Sequence, residues 1–168
     1  FHGHNDAACG VAASLAAVAA GAVHVQGTIN GIGERCGNAD LTGIIPGVAL
    51  KMGCTVHADV AQLTDVSRYV DEMRNALPYK QQPYVGLSAF AHKGGIHVSA
   101  VQRNERTYEH IRPEAVGNRR RVLVSEQSGQ SNVLVKAREL GIDLEKNSDT
   151  ARRVLEEVKQ REHAGYEY

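Results

Sequence analysis

At 168 residues, with 42% apolar and 23% charged residues and no Trp, the composition fits an ordinary globular domain, or a piece of a larger one, with enough chain to bury a core. Nineteen basic residues balance nineteen acidic ones, so net charge draws in neither nucleic acid nor an anionic membrane. No apolar run reaches the roughly 20 residues of a membrane span. Cys9, Cys36 and Cys54, without a C-x-x-C pair, build neither a disulfide framework nor a zinc ribbon, so a reducing cytoplasm is the expected setting.

The chain opens without an initiator Met or a leader, in what reads as the middle of a strand, and is expected to be a fragment. Its first segment, FHGHND, sets His2 and His4 two residues apart. On a strand both side chains leave the same face, roughly 6–7 Å apart along the backbone. Two imidazoles so placed can share one metal ion at about 2.0–2.2 Å each. Two surface histidines have the same spacing, and a bare H-x-H does not choose between them. Asp6 then stands where it can cap an Ala-rich helix over residues 7–20, which Gly21 ends. Residues 22–25 and 28–29 read as a buried strand. The Gly-punctuated stretch NGIGERCGN (30–38) is a loop, and residues 39–53 read as a second helix, interrupted by Gly43 and Pro46 and closed at Gly53. This strand, helix, strand, loop, helix rhythm is that of a parallel sheet or a β/α barrel.

Farther along, residues 63–77 read as an amphipathic helix capped by Thr64 or Asp65. LPYKQQPYVG (77–86), with two prolines and two tyrosines, reads as a linker or boundary. SAFAHKGGIHVSAV (88–101) follows, then a short strand at 119–125 and a helix at 131–140 stopped by Gly141. Ser148 is the N-cap of a last helix with one apolar stripe of Val154, Leu155 and Val158. The expected division is therefore 1–60, barrel-like; 61–86, helix and linker; 87–168, a mostly helical accessory region.

In a β/α barrel the C-terminal strand ends converge on one site, which would bring His2, His4 and the 30–38 loop to one pocket. The glycines of that loop let the backbone pass close to a ligand. Asn38 could add an amide oxygen, giving a mixed set suited to Mn²⁺, Zn²⁺, Co²⁺ or Fe²⁺, or to Mg²⁺ if further oxygens dominate. Its other reading is a turn or capping residue. Glu34 and Arg35 read as a surface pair and Cys36 as a small packed thiol. His92 and His97 lie five apart across Gly94 and Gly95, so they share no helix face and no metal. A His after such a turn serves as a general base, a ligand contact or a hydrogen-bonded surface residue. His24, His57, His110 and His163 read as structural, and Arg119, Arg120 and Arg121 as a solvated strand end.

Three stretches carry a resemblance: HGHNDAACGVAASLAAVAAGAVHVQGTINGIGERCGN, then AFAHKGGIHVSAV, then TYEHIRPEAVGNRRRVLVSEQSGQSN. In this order they resemble the C-terminal half of the 2-isopropylmalate, homocitrate and citramalate synthases. QGTINGIGERCGNADL with HKGGIHVSAV is most similar to the citramalate branch. The resemblance implies a C-terminal part of a TIM-type β/α barrel with a helical accessory subdomain that reaches over the partner chain of a homodimer. It implies that His2 and His4 are ligands of a divalent metal (Mn, Mg, Zn or Co), that Asn38 completes or neighbours the shell, and that His97 and Tyr108 assist proton transfer and orient acetyl-CoA. A metal-binding Asp and its adjacent Arg are expected upstream of these motifs, so this chain alone is expected to be inactive. Ala13 stands where the family usually has Asn, and Gln130 where this branch often has Arg.

The implied activity is a metal-dependent Claisen condensation of acetyl-CoA with a 2-oxo acid. With pyruvate it yields citramalate for isoleucine synthesis; 2-isopropylmalate or homocitrate synthesis are the alternatives. A non-catalytic dimerisation or interaction module is the reading from a different class.

Overall fold

The computed structural model describes residues 1–124 and 128–166, with residues 95, 96 and 102 described by their backbone alone. The backbone falls into two units, Phe1–Ala89 with Pro113–Arg119, and Phe90–Arg112 with Arg120–Tyr168. The architecture is α/β with few strands.

The first unit begins with helix α1, Gly10–Ala19. It starts later than the sequence suggests, because Asp6 is engaged elsewhere: Arg35 donates to both its carboxylate oxygens, at 2.8 and 3.2 Å. Asn5 takes over at the helix start, its Oδ1 accepting from the Gly10 amide at 3.2 Å. Gly21, at φ +104°, ends the turn as expected. Helix α2, Leu41–Pro46, is capped by Asp40, whose Oδ1 accepts from the Thr42 amide and hydroxyl at 2.8 Å each. Pro46 removes an amide from the ladder, and the backbone continues as a wider turn over Gly47–Lys51. Val11 and Leu15, one turn apart on α1, lie over Gly43 and Gly47. A methyl on Gly47 would stand 3.0 Å from Leu15, so the bare glycine backbone sets how closely α1 and this stretch approach.

Strand pairing in this unit is reduced to single bridges: His2 with Gln26 and Thr28 with Asp40, both parallel, and His4 with Asn38, antiparallel. The expected buried strand at 22–25 does not form, and Val23 is wholly exposed. A parallel strand is buried by helices on both faces of an extended sheet. Single bridges provide no such sheet among the described residues.

Helix α3, Leu63–Met73, buries Leu63, Thr64, Ser67 and Asp71 along one stripe. Its start is capped one turn earlier than expected, by Asp59 at the head of the 3₁₀ turn Val60–Gln62. Thr64 has another use: its hydroxyl donates to the Val116 carbonyl at 2.6 Å and ties the turn Pro113–Val116 into this unit. The stretch 77–86 is also tied in. Gln82 is buried and donates to Asp40 Oδ2 at 3.0 Å, Thr42 Oγ1 at 3.1 Å and Asn30 Oδ1 at 3.2 Å. Ala39, Ile44, Leu63, Val85 and Val116 form the apolar centre.

In the second unit, β1 (Ala91–His92) pairs in parallel with β2 (Arg121–Val122), with Ala91 opposite Arg121 and His92 opposite Val122. The expected strand at 119–125 is thus two residues long, and its end at 125 lies outside the described residues, as do 126 and 127 of the third motif. Between the strands run helix α4, Gly95–Arg103, and the 3₁₀ turn Glu105–Thr107. Gly95 opens α4, because extended Gly94 takes the N-cap position. Helix α5, Gln130–Glu139, stops before Gly141 at φ +71°. Helix α6, Asp149–His163, is capped by Ser148, whose Oγ accepts from the Ala151 amide at 3.2 Å. Phe90, Val98, Val101, Val122, Val133, Ala137 and Ala151 form the core. No helix among the described residues is long and apolar enough to cross a membrane.

Candidate functional site

The two groups of candidate residues fall in different units. In the first, the segment carrying His2 and His4 is zipped to the end of the Gly-rich loop. Asn5 N–H donates to the Gly37 carbonyl and Ala39 N–H to the Gly3 carbonyl, each at 2.9 Å. This pairing sets His4 opposite Asn38, and residues directly opposite in an antiparallel pair place their side chains on one face. Both imidazoles are exposed, with ring centroids 5.0 Å apart and planes at 78°. The Asn38 amide NH₂ donates to the Ile32 carbonyl at 2.9 Å, which leaves its oxygen as the end able to ligate.

Glycine is required in this loop by contact. A Cβ on Gly33 would overlap the Asn38 amide, and one on Gly37, at φ +91°, would overlap the Gly31 carbonyl. Arg35, read as a partner of neighbouring Glu34 (4.0 Å), mainly ties the loop to Asp6. Its hydrogen bond holds the Asp6 carboxyl below its ordinary range, against the upward push of desolvation. Cys36, read as packed, is exposed, because it rides on the turn ahead of Gly37.

Two imidazoles and an amide oxygen on one edge fit part of the shell of a borderline divalent cation. Among the described residues no group of three or more His, Cys, Asp or Glu side chains is placed to hold a metal ion. His2, His4 and Asn38 would hold the ion, with its remaining positions open to water or ligand oxygens.

In the second unit, α4 and the turn after it bring His97 and Tyr108 together from eleven residues apart. Their ring centroids are 4.3 Å apart with planes at 31°, and both rings are exposed, Tyr108 to 46%. His92 approaches Tyr108 edge-on at 6.5 Å. His92 is buried, and its Nε2 lies 3.0 Å from Glu109 Oε1. Arg120 meets the same carboxylate with two prongs, at 2.6 and 2.7 Å, and reaches Glu105 at 3.3 Å. Burial pushes the Glu109 carboxyl up, but the hydrogen bonds from Arg120 and His92 outweigh it and hold the group below its ordinary range. Glu109 is therefore ionised near neutrality and accepts from His92 Nε2–H. Glu109 in turn raises the Arg120 guanidinium further above its ordinary value.

Arg120 thus differs from its reading as part of a solvated strand end, since its charge is turned inward onto Glu109. Nothing in the spacing of residues 92, 109 and 120 signals this cluster. A carboxylate directly after the candidate Tyr108, with an arginine run downstream, was the only hint.

Residues 1–70 match the HMGL-like family, and residues 84–165 match the homocitrate synthase post-HMGL domain-like family. The whole chain is 54% identical to the (R)-citramalate synthase of Geobacter sulfurreducens, covering 32% of that protein. It is also 54% identical to the (R)-citramalate synthase of Synechocystis sp., covering 31% of it. Over 92% of the chain it is 43% identical to a probable 2-isopropylmalate synthase of Methanopyrus kandleri, covering 32% of that protein. The chain spans about a third of the length of these curated relatives. By these matches, the chain is similar to the HMGL-like family in its first part, to the homocitrate synthase post-HMGL domain-like family in its second, and to citramalate and 2-isopropylmalate synthases across both.

Proposed function

We propose that the protein to which this chain belongs is a citramalate-synthase-like acyltransferase that condenses acetyl-CoA with pyruvate. The observation that carries this reading is identity of 46–54% over the full chain to five (R)-citramalate synthases, in a chain that sets His2, His4 and Asn38 on one edge. Under this reading residues 1–60 are the end of a β/α barrel and residues 87–168 its accessory subdomain. The protein works in the cytoplasm as a homodimer.

His2, His4 and Asn38 hold a divalent cation, which when bound supplies Lewis-acid polarisation of the 2-oxo acid's ketone. His97 and Tyr108 orient acetyl-CoA and assist the proton transfers: one from the acetyl methyl group, so that its carbon attacks the ketone carbon, and one to the new alkoxide. Hydrolysis of the thioester then releases CoA and the dicarboxylate. The exposed, adjacent rings of His97 and Tyr108 support this role, since both are open to a ligand.

The test is thiol release from acetyl-CoA by the full-length protein with Mn²⁺ or Mg²⁺, offered pyruvate, 2-oxoisovalerate or 2-oxoglutarate. Pyruvate-selective turnover is expected. Selectivity for 2-oxoisovalerate would move the protein to the isopropylmalate branch, and silence with all three acids would sink the reading. His4→Ala is expected to weaken Mn²⁺ binding at least about tenfold by calorimetry.

A further inference from the structure

Beneath the exposed His97–Tyr108 pair, the His92–Glu109–Arg120 cluster has no task in the chemistry above. Its members come from three places: His92 from β1, Glu109 from the residue after Tyr108, and Arg120 from the residue before β2. The pairing of β1 with β2 makes His92 and Arg120 a common base, and Glu109 is fastened to both. The Glu109 side chain is 2% exposed, so these bonds are shielded from water. Arg120 also holds Glu105, so a single guanidinium grips the chain before and after Tyr108.

The turn itself is a weak holder. Glu105–Thr107 is a single 3₁₀ turn, and the Tyr108 amide reaches the Glu105 carbonyl only at 3.4 Å. The Glu109 amide also reaches the Glu105 carbonyl, at 3.1 Å, and Asn104 caps the turn, but these bonds hold the backbone and none of them reaches the Tyr108 ring. A buried charge cluster is a poor way to gain stability, since desolvation offsets much of the attraction. Its two-pronged, charge-assisted hydrogen bonds do fix direction.

We propose that His92, Glu109 and Arg120 form a positioning device that holds Tyr108 against His97. Its consequence for turnover rests on the catalytic reading of that pair; the positioning itself does not. His92 is a positioning residue too, because its Nε2 is committed to Glu109.

The test uses the full-length protein labelled with ¹³C-histidine. In the native protein the Tyr108 ring, 4.3 Å away, is expected to shift the carbon-bound ring protons of His97 upfield, and Tyr108→Leu sets the zero of that shift. Glu109→Gln is expected to lose most of it, and to lower kcat about 10- to 100-fold while KM for both substrates holds. Arg120→Lys keeps the charge but only one prong, and is expected to lose part of the shift. Folded variants that both keep the full shift overturn the proposal. Failure of both to fold also overturns it, because the cluster would then determine the fold rather than the pose. Loss of the shift with kcat unchanged supports the positioning and removes the catalytic role of His97 and Tyr108 instead.

Discussion

Single residues in this chain often do work that their neighbours in sequence do not announce. Glu109 is the sharpest case, and it ties stability to pH. Its carboxyl ionises below the ordinary glutamate value of 4.5, because Arg120 and His92 outweigh the upward push of burial. On acidification the unfolded chain takes up the proton first, so the stabilisation is complete above about pH 4.5 and drains away as pH falls through the lower, folded value. Acid unfolding followed by circular dichroism is expected to show this loss, and Glu109→Ala is expected to flatten that limb. At pH 7 the same variant strands Arg120 and His92, at an expected cost of about 3 kcal/mol by urea titration.

At the scale of elements, the loop 30–38 behaves as a shaped edge. Four positive-φ positions build it: Asn30 at φ 61°, Gly31 at φ 65°, Arg35 at φ 54° and Gly37 at φ 91°. Of these Gly37 is the most constrained, since the Gly31 carbonyl occupies the place where its side chain would go. Gly37→Ala is therefore expected to destabilise the protein by about 1–3 kcal/mol and to weaken Mn²⁺ binding, because Asn38 follows directly. A Gly37→Ala protein with unchanged urea midpoint would show that the loop can relax around the added methyl. The helices were the most legible elements. Ser148, Gly141 and Gly21 mark their ends by rules that need no tertiary contact. Asp6 and Thr64 obey the same rules on paper, yet Arg35 and the Val116 carbonyl claim them.

At the scale of the whole molecule, the chain leaves its first unit after Ala89, returns for Pro113–Arg119 and leaves again. Thr64 holds that returning segment through one buried hydrogen bond, with Gly117 set against the Ala61 carbonyl beside it. Thr64→Val keeps the shape and leaves the Val116 carbonyl without its donor, at an expected cost of about 1–3 kcal/mol. Hydrogen exchange is expected to speed up in residues 60–67 and 113–119 together, and loss confined to one of them would show that the two are held independently.

Sequence by itself determined five of the helices, though not α4, together with the cap at Ser148 and the resemblance, because motif order and local capping are written in contiguous residues. It also singled out His2, His4, Asn38, His97 and Tyr108, by spacing in part and by resemblance in the main. Tertiary structure alone decided that His4 faces Asn38, that Tyr108 leans on His97 and that Arg120 turns inward to Glu109. It likewise decided that 22–25 stays out of any strand. The physical reason is common to these cases: each depends on a partner many residues away, and a charge or an extended segment has no preferred fate until that partner is in place.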